Sequence, residues 1–122
     1  MASGRGVGRF FGRGRSARRG EAYIEAYEFP SYIRRRVSQR VGLDAEDWAL
    51  VERGLRDWFI CCAWRGRRTL GMPSRVVDEA WHELILDSFA YMEFCDAAFG
   101  QFLHHTPDDR MSTPMPDALL AS

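Results

Sequence analysis

The chain has no lysine, no net charge, few cysteines and no long apolar run, and each shortage removes a class of function. Without an apolar stretch near the ~18 residues needed to cross a bilayer, no membrane helix is expected and no membrane partner. Three cysteines, two of them adjacent at Cys61 and Cys62, do not make a disulfide framework. Residues 1–20 lack the apolar segment of a secretory signal. Their arginine-rich, acid-free character imitates an organellar transit peptide, but glycines at 4, 6, 8, 12 and 14 oppose the amphipathic helix that role needs. A reducing cytoplasm is the expected setting. The missing lysine itself follows most simply from a bias toward GC-rich codons, with the guanidinium's fixed fork a lesser reason.

The neutral total conceals two unlike halves. Residues 1–40 hold ten arginines and three acids, whereas residues 41–122 hold seven arginines and fourteen acids. A basic arm of +7 therefore adjoins an acidic body of −7. The 122 residues suffice for one domain and a tail. A hydrophobic fraction of 46%, with eight Phe and four Trp, is ample for a core.

Residues 1–20, dominated by Gly and Arg, bury too little apolar surface to offset ordering, so disorder is expected there. Glu21 to Glu28 suits a short helical turn that Pro30 interrupts. A helix from Pro30 to about Arg40 carries the i, i+4 pair Ile33 and Val37 and ends at Gly42. Asp44 is an N-cap, with Asp47 in the first turn. The helix that follows buries Trp48, Val51, Leu55, Trp58, Phe59 and Cys62, spaced at three and four, and frays at Gly66. Ser74 caps a long helix expected to run to Phe99 and stop at Gly100. One stripe of it is Val77, Ala80, Trp81, Leu84, Ser88, Tyr91, Cys95 and Phe99. Ile85, Leu86 and Phe89 form a second, which predicts a central helix contacted on two sides. A further turn is expected at Pro107 to Asp109. The fold class is thus all-α: a small three- to four-helix bundle over residues 21–110, a disordered Arg/Gly-rich tail at 1–20 and a flexible tail at 111–122.

Chemistry concentrates around three histidines. Asp78 and His82, four apart, project from one helix face, and His104 and His105 follow the helix stop. Imidazole is the commonest zinc ligand and also suits iron. The metal reading takes Asp78, His82, His104 and His105 as ligands, with Asp78 also able to orient His82. The structural reading makes Asp78 the hydrogen-bond partner of a half-buried His82. Reach constrains the choice. A straight helix rises about 27 Å from His82 to Gly100, at roughly 1.5 Å per residue, and five returning residues cover at most about 17 Å. Convergence requires a straight return or a broken helix. Cys61, Cys62 and Cys95 fall in or beside the stripes as core residues, and the acidic surroundings of Cys95 offer nothing to activate a thiol.

The tail offers a different chemistry. Arg5, Arg9, Arg13, Arg15, Arg18 and Arg19 around Phe10 and Phe11 have the composition of segments that hold single-stranded RNA or DNA by charge and stacking. Arg34, Arg35 and Arg36 extend that surface. Three functions remain open: a helical binding module with a zinc or iron site and a protein partner, an accessory nucleic-acid-binding protein, and an interaction domain with structural histidines.

Tyr27-x-Phe29-Pro30, Gly54-Leu55-Arg56 with Phe59, Met72-Pro73-Ser74, Val77-Asp78-x-x-Trp81-His82-x-x-Ile85-Leu86, Tyr91-x-x-Phe94-Cys95, Phe99-Gly100 and His104-His105-x-Pro107 together resemble the glycine-rich domain-containing-protein-like family. The resemblance implies a mainly helical domain and puts Asp78, His82, Cys95, His104 and His105 on signature positions. It implies no established activity.

Overall fold

A computed structural model describes residues 2–65, 70–72 and 74–105, with side chains from residue 14 onward. Five helices follow one another: α1 (Ala2–Ala26), α2 (Ser31–Val41), α3 (Ala45–Trp64), α4 (Arg75–Leu86) and α5 (Ser88–Phe99). Helix α1 lies against α3 and α5, α2 lies against α4, and α4 packs on both α3 and α5. The all-α class is as the sequence predicts. The expected flexible tail at 111–122 and the turn at Pro107 lie outside the described residues.

Local chemistry accounts for most helix ends. Asp44 accepts the Asp47 N–H at 2.7 Å and the Asp47 carboxylate accepts the Asp44 N–H at 3.2 Å, a reciprocal cap at the start of α3. Ser74 accepts from Val77 at the start of α4. Gly42 and Gly100 take left-handed backbone at φ 81° and 72° and close α2 and α5. The face predicted for α3 is buried at all six positions.

Two elements differ from expectation. Within the stretch 1–20 expected to be disordered, the last residues belong to α1 (Ala2–Ala26), which joins the core from Ala17 onward. Ala17, Gly20 and Ile24 form a stripe of which only Ile24 is bulky. A Cβ placed on Gly20 would lie 2.2 Å from the Ala98 carbonyl oxygen, so glycine here permits backbone-to-backbone approach. Packing by small residues lies outside an argument that counts apolar area.

The single helix expected over 74–99 is broken at Asp87, which leaves helical geometry at φ −86° and ψ 79°. One carboxylate oxygen of Asp87 caps α5 by accepting the Ala90 N–H at 3.2 Å, and the other accepts the Tyr32 hydroxyl from α2. Together these offer the backbone an alternative to continuing the helix. The break also redirects the second apolar stripe. Ile85 stays partly buried, but Leu86 and Phe89 face solvent instead of a neighbouring helix.

The core centres on aromatic side chains, with Phe59 4.7 Å from Phe94 and Trp58 4.3 Å from Trp81 between ring centroids. At the α2–α4 seam a carboxylate is buried as well. Glu83 is 2% exposed and is reached by Arg40 and, at 3.3 Å, by Arg36, both from α2. Arg40 also pairs with Glu79. A buried charge persists only when paired in this way.

Two outcomes follow for stability. In an open helix position Gly→Ala gains about 1 kcal/mol, whereas overpacking costs about 1–3 kcal/mol. Gly20→Ala should therefore lose ~1–2 kcal/mol in urea denaturation while Gly14→Ala, with open space around it, should gain; a stabilised Gly20→Ala would refute the close contact. Hydrogen bonding from Arg40, and then from Arg36, holds the Glu83 carboxyl below its usual range against the opposing effect of burial. A lowered folded value means the stabilisation is full above the unfolded pKa of about 4.3 and is lost as pH falls through the folded value. Glu83→Gln should cost stability at neutral pH, with the difference from wild type shrinking toward about pH 3. Parallel denaturation curves at both pH values would contradict this.

Candidate functional site

The first turns of α4 present Asp78, Trp81 and His82. Ser74 fixes where α4 begins, and the spacing of three and four sends Trp81 inward while His82 stays exposed. His82 makes no bond to Asp78. That carboxylate instead meets His105, whose Nε2 lies 2.8 Å from Asp78 Oδ1.

A chain of buried polar groups brings His105 back to α4. Gly100 turns the backbone out of α5, its N–H bonding the Asp96 carbonyl at 3.0 Å. The Leu103 N–H then contacts Cys95 Sγ at 3.5 Å, and the Leu103 carbonyl accepts the Tyr91 hydroxyl. Tyr91 in turn accepts the indole N–H of Trp81 at 3.0 Å. One phenol thus ties α4, α5 and the returning strand of chain together. Burial raises the Tyr91 phenol well above its ordinary range, so it remains the donor to Leu103. The broken helix supplies the shorter path that convergence requires: beyond the break at Asp87 and the stop at Gly100, residues 101–105 bring Leu103 to Tyr91 and His105 to Asp78.

The His105 ring lies 4.4 Å from the Trp81 ring and 6.2 Å from that of His82, between centroids, the two imidazoles at 74°. His104 points elsewhere, its ring 4.7 Å from Phe102. The structure therefore brings Asp78, His82 and His105 to one corner and leaves His104 out. A metal with bonds of about 2.0–2.1 Å stands ~3.2 Å from each imidazole centroid, so two rings sharing it tetrahedrally are ~5 Å apart. The His82–His105 spacing is about 1 Å wider, and no group of three or more metal-ligating side chains is assembled among the described residues. Closing it takes a rotamer change of the exposed His82.

Two of the three thiols are buried in the core, and Cys61, also expected there, is not. Burial raises the Cys95 thiol above its ordinary range and pushes that of Cys62 up to about 12, so both are protonated and poor nucleophiles. Cys61 is exposed. Of the expected nucleic-acid arm, Arg15, Arg18 and Arg19 are exposed on α1, and the side chains of Arg5, Arg9 and Arg13 lie outside the described residues. Arg36 pairs with Glu83 and lies 5.1 Å over the Tyr32 ring while remaining exposed, as Arg34 and Arg35 are. Among the described residues no helix is long and apolar enough to cross a membrane.

Sequence reasoning missed the Trp81–Tyr91–Leu103 chain and the burial of Glu83. A signal existed for the first, since a tyrosine inside a core stripe must satisfy its hydroxyl.

No curated protein and no solved structure matches the chain. The model of the UCP032817-like family matches residues 19–118. That span takes in α1 from Arg19 onward, α2 to α5 and all three residues of the corner, and the chain belongs to the UCP032817-like family.

Proposed function

We propose that the chain is a small cytoplasmic binding module whose working site is the Asp78–His82–His105 corner, holding one divalent transition metal and acting with a protein partner. The observation that carries this reading is the pairing of Asp78 Oδ1 on α4 with His105 Nε2 from the chain after α5, 2.8 Å apart, with the His82 ring 6.2 Å from that of His105. Two imidazoles and one carboxylate suit zinc, and on one face of an ion they suit iron(II) with positions left open. An open position would let the metal polarise a bound ligand or activate water. The Trp81 ring beside His105 excludes solvent from one side of the corner. The likeness of Trp81-His82 and His104-His105 to the glycine-rich domain-containing-protein-like family belongs to the same reading.

A second reading, an interaction domain with structural histidines, is favoured by the apolar side chains on α5. Phe89 is 79% exposed and Met92 62%, more than a solvated helix face needs.

Calorimetric titration with zinc and with iron(II) under anaerobic conditions tests the metal site. Wild type should bind one ion per chain, His82→Ala and His105→Ala should each weaken binding at least tenfold, and His104→Ala should bind as wild type does. Absence of binding up to about 100 μM metal, or equal loss from His104→Ala, would refute it.

A further inference from the structure

The acidic body and the basic arm each carry an apolar cluster, and the fold prevents the two clusters of one chain from meeting. On the body, Leu86, Phe89 and Met92 are 62%, 79% and 62% exposed along the end of α4 and the outer face of α5. Glu93 and Asp96 are exposed beside them, α5 contains no basic residue, and among the described residues neither acid forms an ion pair. On the arm, Phe10 and Phe11 stand in sequence between Arg9 and Arg13, well before Ala17, the first residue of α1 that is buried among those whose side chains are described. An apolar face rimmed by acids matches an apolar pair flanked by arginines.

Helix direction decides which copy can supply the match. Gly20 abuts Ala98 near the end of α5, and further along α1 Tyr27 lies 4.8 Å from Phe94, between ring centroids. The two helices are therefore antiparallel, and the arm leaves past the C-terminal end of α5. Phe10 lies ten residues before Gly20 and Phe89 nine before Ala98, in opposite directions. At about 1.5 Å per residue they stand ~28 Å apart along the axis. A continuous α1 cannot fold back over that span, whereas a second copy faces no such limit.

We propose that the α5 face of one copy receives the Arg9–Arg13 stretch of a second copy. Exchanging the arms reciprocally satisfies both faces in a two-fold dimer, the commonest closed arrangement. Its attraction is largely between exposed charges and weakens with salt.

Analytical ultracentrifugation of the full chain tests this at about 20 mM and 500 mM salt. The expected result is twice the 14.1 kDa chain mass at low salt and a shift toward single chains at high salt. Phe89→Ser should give single chains at both. So should the pair Glu93→Arg with Asp96→Arg, and adding Arg9→Glu with Arg13→Glu to that pair should restore the dimer. Circular dichroism checks that each variant folds, which the exposure of the altered positions favours. Single chains of wild type at low salt overturn the proposal, as does a dimer indifferent to Phe89→Ser. A low-salt species that absorbs as a nucleic-acid complex and collapses on nuclease treatment also overturns it, and assigns the arm to nucleic acid.

Discussion

The hydroxyl of Tyr91 is the constraint on which the rest of the corner depends. It accepts from Trp81 in α4 and donates to the Leu103 carbonyl after α5, so one buried atom fixes where two helices and the returning chain meet. Burying a phenol without partners would cost free energy of the order of a few kcal/mol. With both partners present, the group favours one arrangement over the looser packings that an aromatic core also permits. His105 reaches Asp78 because Leu103 is anchored two residues earlier.

The same logic recurs at the seam between α2 and α4, up to the break at Asp87. Glu83 is buried against two arginines, and Asp87 is shared between the Tyr32 hydroxyl and the first turn of α5. Hydrophobic area alone would hold α2 against α4 in several registers. Charged and hydroxyl groups that must be satisfied reduce that freedom, at a desolvation cost the arginines largely offset by remaining half in water.

What was legible in the sequence was whatever depends on neighbours in the chain. The Asp44 and Ser74 caps, the glycine stops at 42 and 100, and the six-residue face of α3 all express spacing and local hydrogen bonding. The break at Asp87 was hidden because its second partner, Tyr32, lies 55 positions away. The packing of α1 at Gly20 was hidden because glycine, unfavourable to an isolated helix, becomes an asset only where another backbone comes within touching distance, as that of Ala98 does. In the corner, the residue types were legible but not the pairing. Spacing suggested Asp78 with His82, whereas the tie through Leu103 gives Asp78 to His105. His104, adjacent in sequence, is turned away because neighbouring residues of an extended segment project to opposite sides.

The most direct test is the NMR signal of the His105 ring protons in wild type and in Tyr91→Phe. In wild type these protons should be shifted by the ring current of Trp81, 4.4 Å away between centroids, with cross-relaxation to the indole. In Tyr91→Phe the helices should persist while the His105 signals move to positions typical of an unconstrained histidine. Unconstrained His105 signals in wild type, or unchanged ones in the variant, would contradict the claim that this single tie builds the corner.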